Sequence, residues 1–166
     1  MATNMKLLIP ALLMLISQAL LSQEKIVEDY PEVFIRAAKE QKSVIFIFCH
    51  QNCGWCRLFD KYHASPEVKD ILDKEFLIWK IDISKSESAL MLFEYYKLPG
   101  VPAWMIFNSN SELKSDGKYE NGGLVGYPIE PVGMEIYLEA IRRTSRYINE
   151  AQLRLLSEKL VYFDSQ

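Results

Sequence analysis

Val44-Ile45-Phe46-Ile47-Phe48 is an unbroken run of β-branched and aromatic residues that leads straight into Cys49-His50-Gln51-Asn52-Cys53-Gly54-Trp55-Cys56. A strand with one wet face alternates apolar and polar residues. A run with no polar position instead predicts a strand covered on both faces, as in a parallel or mixed sheet. Trp55 to His63 then reads as a helix, so the cysteine segment occupies the turn between a buried strand and a helix.

The pattern on either side supplies the other layers. Ile26 to Gln41 reads as a helix, with Pro31 suited to its first turn if the helix begins there. Ser65-Pro66-Glu67 has the order of a helix start, with Ser as N-cap, Pro at N1 and an acid in the first turn. Val68, Ile71 and Leu72 form one side of that short helix. Phe76 to Ile83 reads as a strand, Ser86 to Lys97 as a helix closed by Leu98-Pro99-Gly100, and Ala103 to Phe107 as a third apolar strand. Asn108 to Gly123 is rich in Ser, Asn and Gly, and predicts a wide hairpin loop whose return strand finishes at Leu124-Val125-Gly126-Tyr127. Pro131 to Ile148 is amphipathic at helical spacing, and Asn149 to Phe163 reads as a further helix. The order α, β, α, α, β, α, β, β, α, α predicts a small α/β sandwich with a mixed sheet flanked by helices.

The length of 166 residues suits one domain with a real core, and 49% hydrophobic and 25% charged residues are ordinary for a globular protein. A net charge of −3 without a basic run argues against nucleic acid as a partner. Lys6, the apolar stretch Leu7 to Ile16 and the small residues Ser17 and Ala19 have the layout of a secretory leader. Leu7 to Leu21 is shorter than a spanning helix needs and carries Pro10. We therefore expect a cleaved leader at 1–22, a domain at 23–166 and no stable membrane span after cleavage. The compartment this implies is outside the inner membrane, most simply the periplasm.

In an oxidising compartment an odd number of cysteines does not make a multi-bridge scaffold. Cys53 at a helix N-terminus meets unpaired N–H groups and the positive end of the dipole, which favour a thiolate. Cys56, one turn on, is close enough to attack a mixed disulfide formed at Cys53, which is what dithiol–disulfide exchange requires. Other readings of these residues stay open. Cys49, Cys53 and Cys56 have the C-x-x-x-C-x-aromatic-C spacing of [4Fe–4S] radical enzymes. The three cysteines with His50 or His63 have the ligand types of a zinc site.

The segment "AAKEQKSVIFIFCHQNCGWCRLFD" resembles the thioredoxin superfamily, in particular its exported branch with Cys-Gly-Trp-Cys. Val101-Pro102 resembles that family's cis-proline dipeptide, and Val125-Gly126-Tyr127 its last strand and following glycine. The resemblance covers about residues 33–148 and leaves 149–166 as a C-terminal helical extension. It implies a thioredoxin-like α/β fold with an extra C-terminal helix. Cys53 would be the attacking thiol and Cys56 the resolving one, with Trp55, Val101, Pro102 and Gly126 lining a substrate groove. Lys80 would match a lysine kept beneath the site, against the plainer reading of a solvated strand-edge lysine. The partners implied are protein disulfides and an upstream redox protein that resets the dithiol. The chemistry calls for no cofactor or metal beyond the disulfide itself.

The chain also departs from that family. Ile47 stands where many members carry a buried acid that serves proton transfer to the second cysteine. Cys49 stands where tryptophan is frequent; it reads as a small buried hydrophobe or as a third redox partner. His50, three residues before Cys53, reads as a solvated loop histidine or, when protonated, as a stabiliser of the thiolate. The loop from Ser109 to Gly123 is longer than in a minimal thioredoxin. A second class of function is a thioredoxin-fold binding module whose disulfide is purely structural; reducibility separates the two.

Overall fold

In the computed structural model, which describes residues 25–164, the apolar run forms β1 (Ser43–Cys49), with every residue from Ser43 to Phe48 buried. The leader expected at 1–22 lies outside the described residues. β1 pairs in parallel with β2 (Phe76–Asp82) and antiparallel with β3 (Ala103–Phe107). β3 in turn pairs antiparallel with the short β4 (Leu113–Ser115), giving a mixed sheet of order β2-β1-β3-β4.

Side chains alternate across a strand, and here both faces are covered. Val44, Phe46 and Phe48 join Met105 and Phe107 against α1 (Pro31–Glu40) and α4 (Glu87–Tyr95), whose Phe34, Ala37, Ala89 and Leu92 complete that layer. Ile45 and Ile47 join Trp104 and Ile106 on the other face. Four helices cover them: α2 (Gly54–Ala64), α3 (Pro66–Leu72), α5 (Pro131–Thr144) and α6 (Glu150–Asp164). The five residues Val44 to Phe48 are each 0% exposed. Burial of such a side chain contributes about 1.5–3 kcal/mol, so a charge at Phe46 would break the sheet. The expected mixed sheet flanked by helices, with an additional C-terminal helix, is what the chain forms.

Several boundaries differ from the sequence reading. The first helix is split: residues 25–29 are helical, Tyr30 leaves the helical region at φ −133°, and α1 begins at Pro31. Proline lacks an N–H and disfavours helical conformation in the residue before it, so the break falls there. Ser65 precedes α3 but makes no side-chain cap; its hydroxyl donates back to the Tyr62 carbonyl at 2.9 Å. By contrast Ser86 does cap α4, accepting from the Ala89 amide at 3.1 Å.

The return strand lies earlier than expected. β4 occupies residues 113–115, and Leu124 makes only an isolated bridge to Lys118. Gly117, at φ +65°, turns the chain out of the sheet, and a Cβ there would come within 2.6 Å of the Trp104 carbonyl oxygen. The helix expected to run to Ile148 stops at Thr144. Buried Glu75 takes the freed amides just beyond it, accepting from Arg146 N at 2.5 Å and Tyr147 N at 2.6 Å. The chain then turns into α6, which is fastened by a hydrogen bond from the Tyr127 hydroxyl to the Leu160 carbonyl at 2.8 Å. Lys159 adds an ion pair with Glu67 at 2.6 Å. Among the described residues no helix is long and apolar enough to cross a membrane.

One polar side chain sits inside the helix-covered layer. His63 is 5% exposed, with Nδ1 2.8 Å from the Phe59 carbonyl and Nε2 2.9 Å from the Tyr137 hydroxyl. A carbonyl only accepts, so Nδ1 carries the proton and Nε2 accepts from Tyr137. Burial holds this imidazole neutral, its pKa down at about 3.

Candidate active site

β1 delivers Cys49 to the edge of the core, and residues 50–53 turn the chain into α2. The turn is held by the Cys53 amide donating to the His50 carbonyl at 3.0 Å and by the Asn52 amide donating to His50 Nδ1 at 3.1 Å. Cys53 is extended (φ −87°, ψ 116°) and is the N-cap of α2; its Sγ accepts from the Cys56 amide at 3.0 Å. A sulfur therefore takes the place usually filled by a Ser, Thr or Asp oxygen. The helix end that this sulfur caps is also where a negative charge is favoured.

Cys53 and Cys56 are joined by a disulfide with Cα atoms 5.2 Å apart. Cys53 is partly exposed, whereas Cys56 is 3% exposed. One sulfur is thus presented outward and the other is kept beneath it. Cys53 Sγ lies 3.6 Å from the Val101 carbonyl oxygen, and the Val101–Pro102 peptide bond is cis. Gly126, at φ +66°, comes alongside that dipeptide; a Cβ on it would be 3.8 Å from the Pro102 carbonyl oxygen. Trp104 fixes this approach by donating its indole N–H to the Gly126 carbonyl at 3.0 Å. Trp55 is 47% exposed and stacks on Tyr127, ring centroids 5.9 Å apart and planes 26° off parallel. The geometry therefore gathers Cys53, Trp55, Val101, Pro102 and Gly126 on one face.

The remaining residues singled out in the sequence lie behind that face. Lys80 forms an ion pair with Asp60, Nζ to Oδ1 2.5 Å. Cys49 is half-buried and unbridged. Its thiol is pushed up to about 12, chiefly by burial and next by the Asp60 carboxylate; Lys80 opposes this and Asp82 adds to it. Cys49 is therefore held as a thiol at neutral pH and is a poor nucleophile or metal ligand. Both ring nitrogens of His63 are engaged within the core, and His50 Nδ1 is occupied by Asn52. Among the described residues no three of His, Cys, Asp and Glu converge so as to hold a metal ion.

Sequence reasoning missed two residues here. Tyr127 is the platform for Trp55, and only tertiary structure reveals it. Asp60 was legible in principle, because it follows Cys56 by four positions and so shares its helix face.

A strand-to-helix turn carrying a Cys-x-x-Cys disulfide, set against a cis-proline loop on a mixed sheet, defines a thioredoxin-fold redox domain. A model of the thioredoxin-like family matches residues 25–109, just over half of the chain, and the protein belongs to that family. Among solved structures the chain is similar to a disulphide isomerase from Xylella fastidiosa Temecula1, with 22% identity and a TM-score of 0.53 over 71% of this chain and 90% of that one. It also matches a DsbH oxidoreductase, with 18% identity and a TM-score of 0.48 over 68% of this chain and 81% of that one. A thioredoxin-fold protein from Helicobacter pylori matches with 13% identity and a TM-score of 0.45, over 75% and 86% of the two chains. No curated protein matches the chain. Family, fold and disulfide together are those of a thiol–disulfide oxidoreductase.

Proposed function

We propose that the protein is an exported, periplasmic oxidoreductase that exchanges disulfides with protein substrates through Cys53 and Cys56. The observation that carries this reading is the asymmetry of the pair: Cys53 caps α2 at an accessible face, and Cys56 is buried beneath it. In the reducing direction the Cys53 thiolate attacks a substrate disulfide. One substrate sulfur joins Cys53 and the other leaves as a thiolate. Cys56 then attacks Cys53 Sγ, the substrate's second sulfur departs, and the Cys53–Cys56 bridge remains. The oxidising direction runs the same steps in reverse.

The Cys56 amide and the end of α2 stabilise the negative sulfur at Cys53 in this scheme. Trp55, Val101, Pro102 and Gly126 form the groove that receives the substrate backbone. An upstream redox protein returns the pair to its working state, and the leader at 1–22 takes the chain across the inner membrane.

The test is to poise the protein across glutathione redox buffers, quench with an alkylating reagent and locate the labels by mass spectrometry. Cys53 and Cys56 are expected to interconvert together as one reversible two-electron couple. A bridge that opens only on denaturation would mark a structural disulfide and a binding module instead. Cell fractionation followed by N-terminal sequencing tests the leader: export predicts a mature chain beginning near residue 23 outside the inner membrane.

A further inference from the structure

The resolving step needs Cys56 to lose a proton, and Cys56 is 3% exposed. Ile47, in the buried strand β1, is hydrocarbon at 0% exposure and takes no proton. Behind the disulfide, however, lies a cavity of about 460 Å³ whose lining includes Cys49, Cys56, Arg57, Asp60, Lys80 and Asp82. Residues four apart on a helix have Cβ atoms about 5–6 Å apart, so Cys56 and Asp60 open onto this space together. Asp60 Oδ1 is sealed from solvent, although its side chain as a whole is 43% exposed. The carboxylate therefore has one oxygen shielded from water while the rest of the side chain stays accessible. Lys80, 2.5 Å from Oδ1, fixes it there.

We propose that Asp60, positioned by Lys80, accepts the Cys56 proton through water in this cavity during the resolving step. This deepens, and rests on, the oxidoreductase reading. The Cys56 S–H bond gives its proton to the relay and its electron pair to a new Cys56–Cys53 bond. The bond from Cys53 to the substrate sulfur breaks, and that sulfur leaves with the electron pair. The oxidant is the substrate disulfide consumed in the first step. In the reverse direction protonated Asp60 returns the proton to Cys56.

The other charged or titratable groups lining this cavity with Asp60 are Cys49 from β1, His50 from the turn, Arg57 from its own helix, Lys80 and Asp82 from β2, and Lys85 just beyond it. His63, Glu32, Arg36, Lys42, Lys69 and Asp73 share a second cavity with Asp60, which Cys56 does not line. None of them replaces it. Arg57 and Lys80 are cationic, and His63 is committed to Phe59 and Tyr137. His50 is held in its own turn by Asn52, Asp82 is taken up by Ser84 and Lys85, and Cys49 is held as a thiol.

The experiment mixes reduced protein with oxidised glutathione, quenches with acid and follows the Cys53–glutathione mixed disulfide by mass spectrometry across pH. Wild-type protein is expected to form this species and resolve it without accumulation. Asp60→Asn forms it at the wild-type rate but resolves it about 100-fold more slowly at pH 7, the scale of a lost acid–base group. The deficit closes as pH rises, because hydroxide takes over the proton. Asp60→Glu restores most of the rate, and Lys80→Met gives an intermediate loss. If Asp60→Asn resolves at the wild-type rate with an unchanged pH profile, Asp60 is not the acceptor, while the oxidoreductase reading stands. If oxidised glutathione never converts reduced wild-type protein to the Cys53–Cys56 disulfide, both readings fall.

Discussion

His63 makes the stability of this domain sensitive to mild acid. In the native state its imidazole stays neutral down to about pH 3, whereas in the unfolded chain it takes a proton at its ordinary 6.5. Between those values only the unfolded state binds the proton, so stability is intact above pH 6.5 and is lost as pH falls. The slope approaches about 1.4 kcal/mol per pH unit, and from pH 7 to pH 5 the expected loss is about 2 kcal/mol. For a domain of this size that lowers the midpoint of thermal unfolding by roughly 4–8 °C. Most carboxylates remain ionised in this window, so His63 dominates it. The assay is urea unfolding at pH 7, 6 and 5 for the wild type and for His63→Gln, which keeps a donor and an acceptor but does not titrate. The variant starts less stable, because the Tyr137 hydroxyl loses an ideal partner, yet its stability should change little with pH. Equal pH slopes in the two proteins would refute the reasoning. So would a His63 NMR titration near 6.5, readily assigned in a chain with 2 histidines.

Glu75→Ala removes a carboxylate that accepts two backbone amides beyond α5 and should cost about 3 kcal/mol in urea unfolding; a loss under about 0.5 kcal/mol would show that water replaces it. Gly117→Ala places a methyl group 2.6 Å from the Trp104 carbonyl at a positive φ, with an expected cost of about 1–3 kcal/mol by thermal unfolding. In fully reduced native protein at pH 8, iodoacetamide should label Cys49 at least about 100-fold more slowly than Cys53, since its thiol is held near 12; comparable rates by mass spectrometry would contradict this. Tyr127→Phe deletes the hydrogen bond to Leu160 and should cost about 1 kcal/mol, read as earlier hydrogen exchange in α6.

What the sequence revealed is what local chemistry determines. The run from Val44 to Phe48 announces a doubly covered strand because no register can expose one of its faces without exposing hydrocarbon. Cys53 and Cys56 announce themselves because their roles depend on a spacing of one helical turn. What stayed hidden needs partners distant in the chain. The pairing of Asp60 with Lys80 is invisible until β2 is laid beside β1 and α2 packs over them. Glu75 looks like another surface acid, and its real partners, the amides of Arg146 and Tyr147, are about seventy residues away. The return strand was misplaced because Leu124 to Tyr127 has strand composition, while the turn at Gly117 depends on a backbone conformation that glycine permits but does not announce.

The strand that carries the redox turn and the turn itself divide the labour cleanly. Every side chain from Val44 to Phe48 is committed to the core, whereas Gln51, Asn52, Gly54 and Trp55 lie exposed. Heritable change in the turn is therefore largely free of any veto from folding. A lineage carrying this scaffold can vary the residues between the cysteines one substitution at a time without disturbing the sheet beneath them. The same freedom does not extend six residues upstream, where an acid at Ile47 would have to be accommodated by the whole core at once.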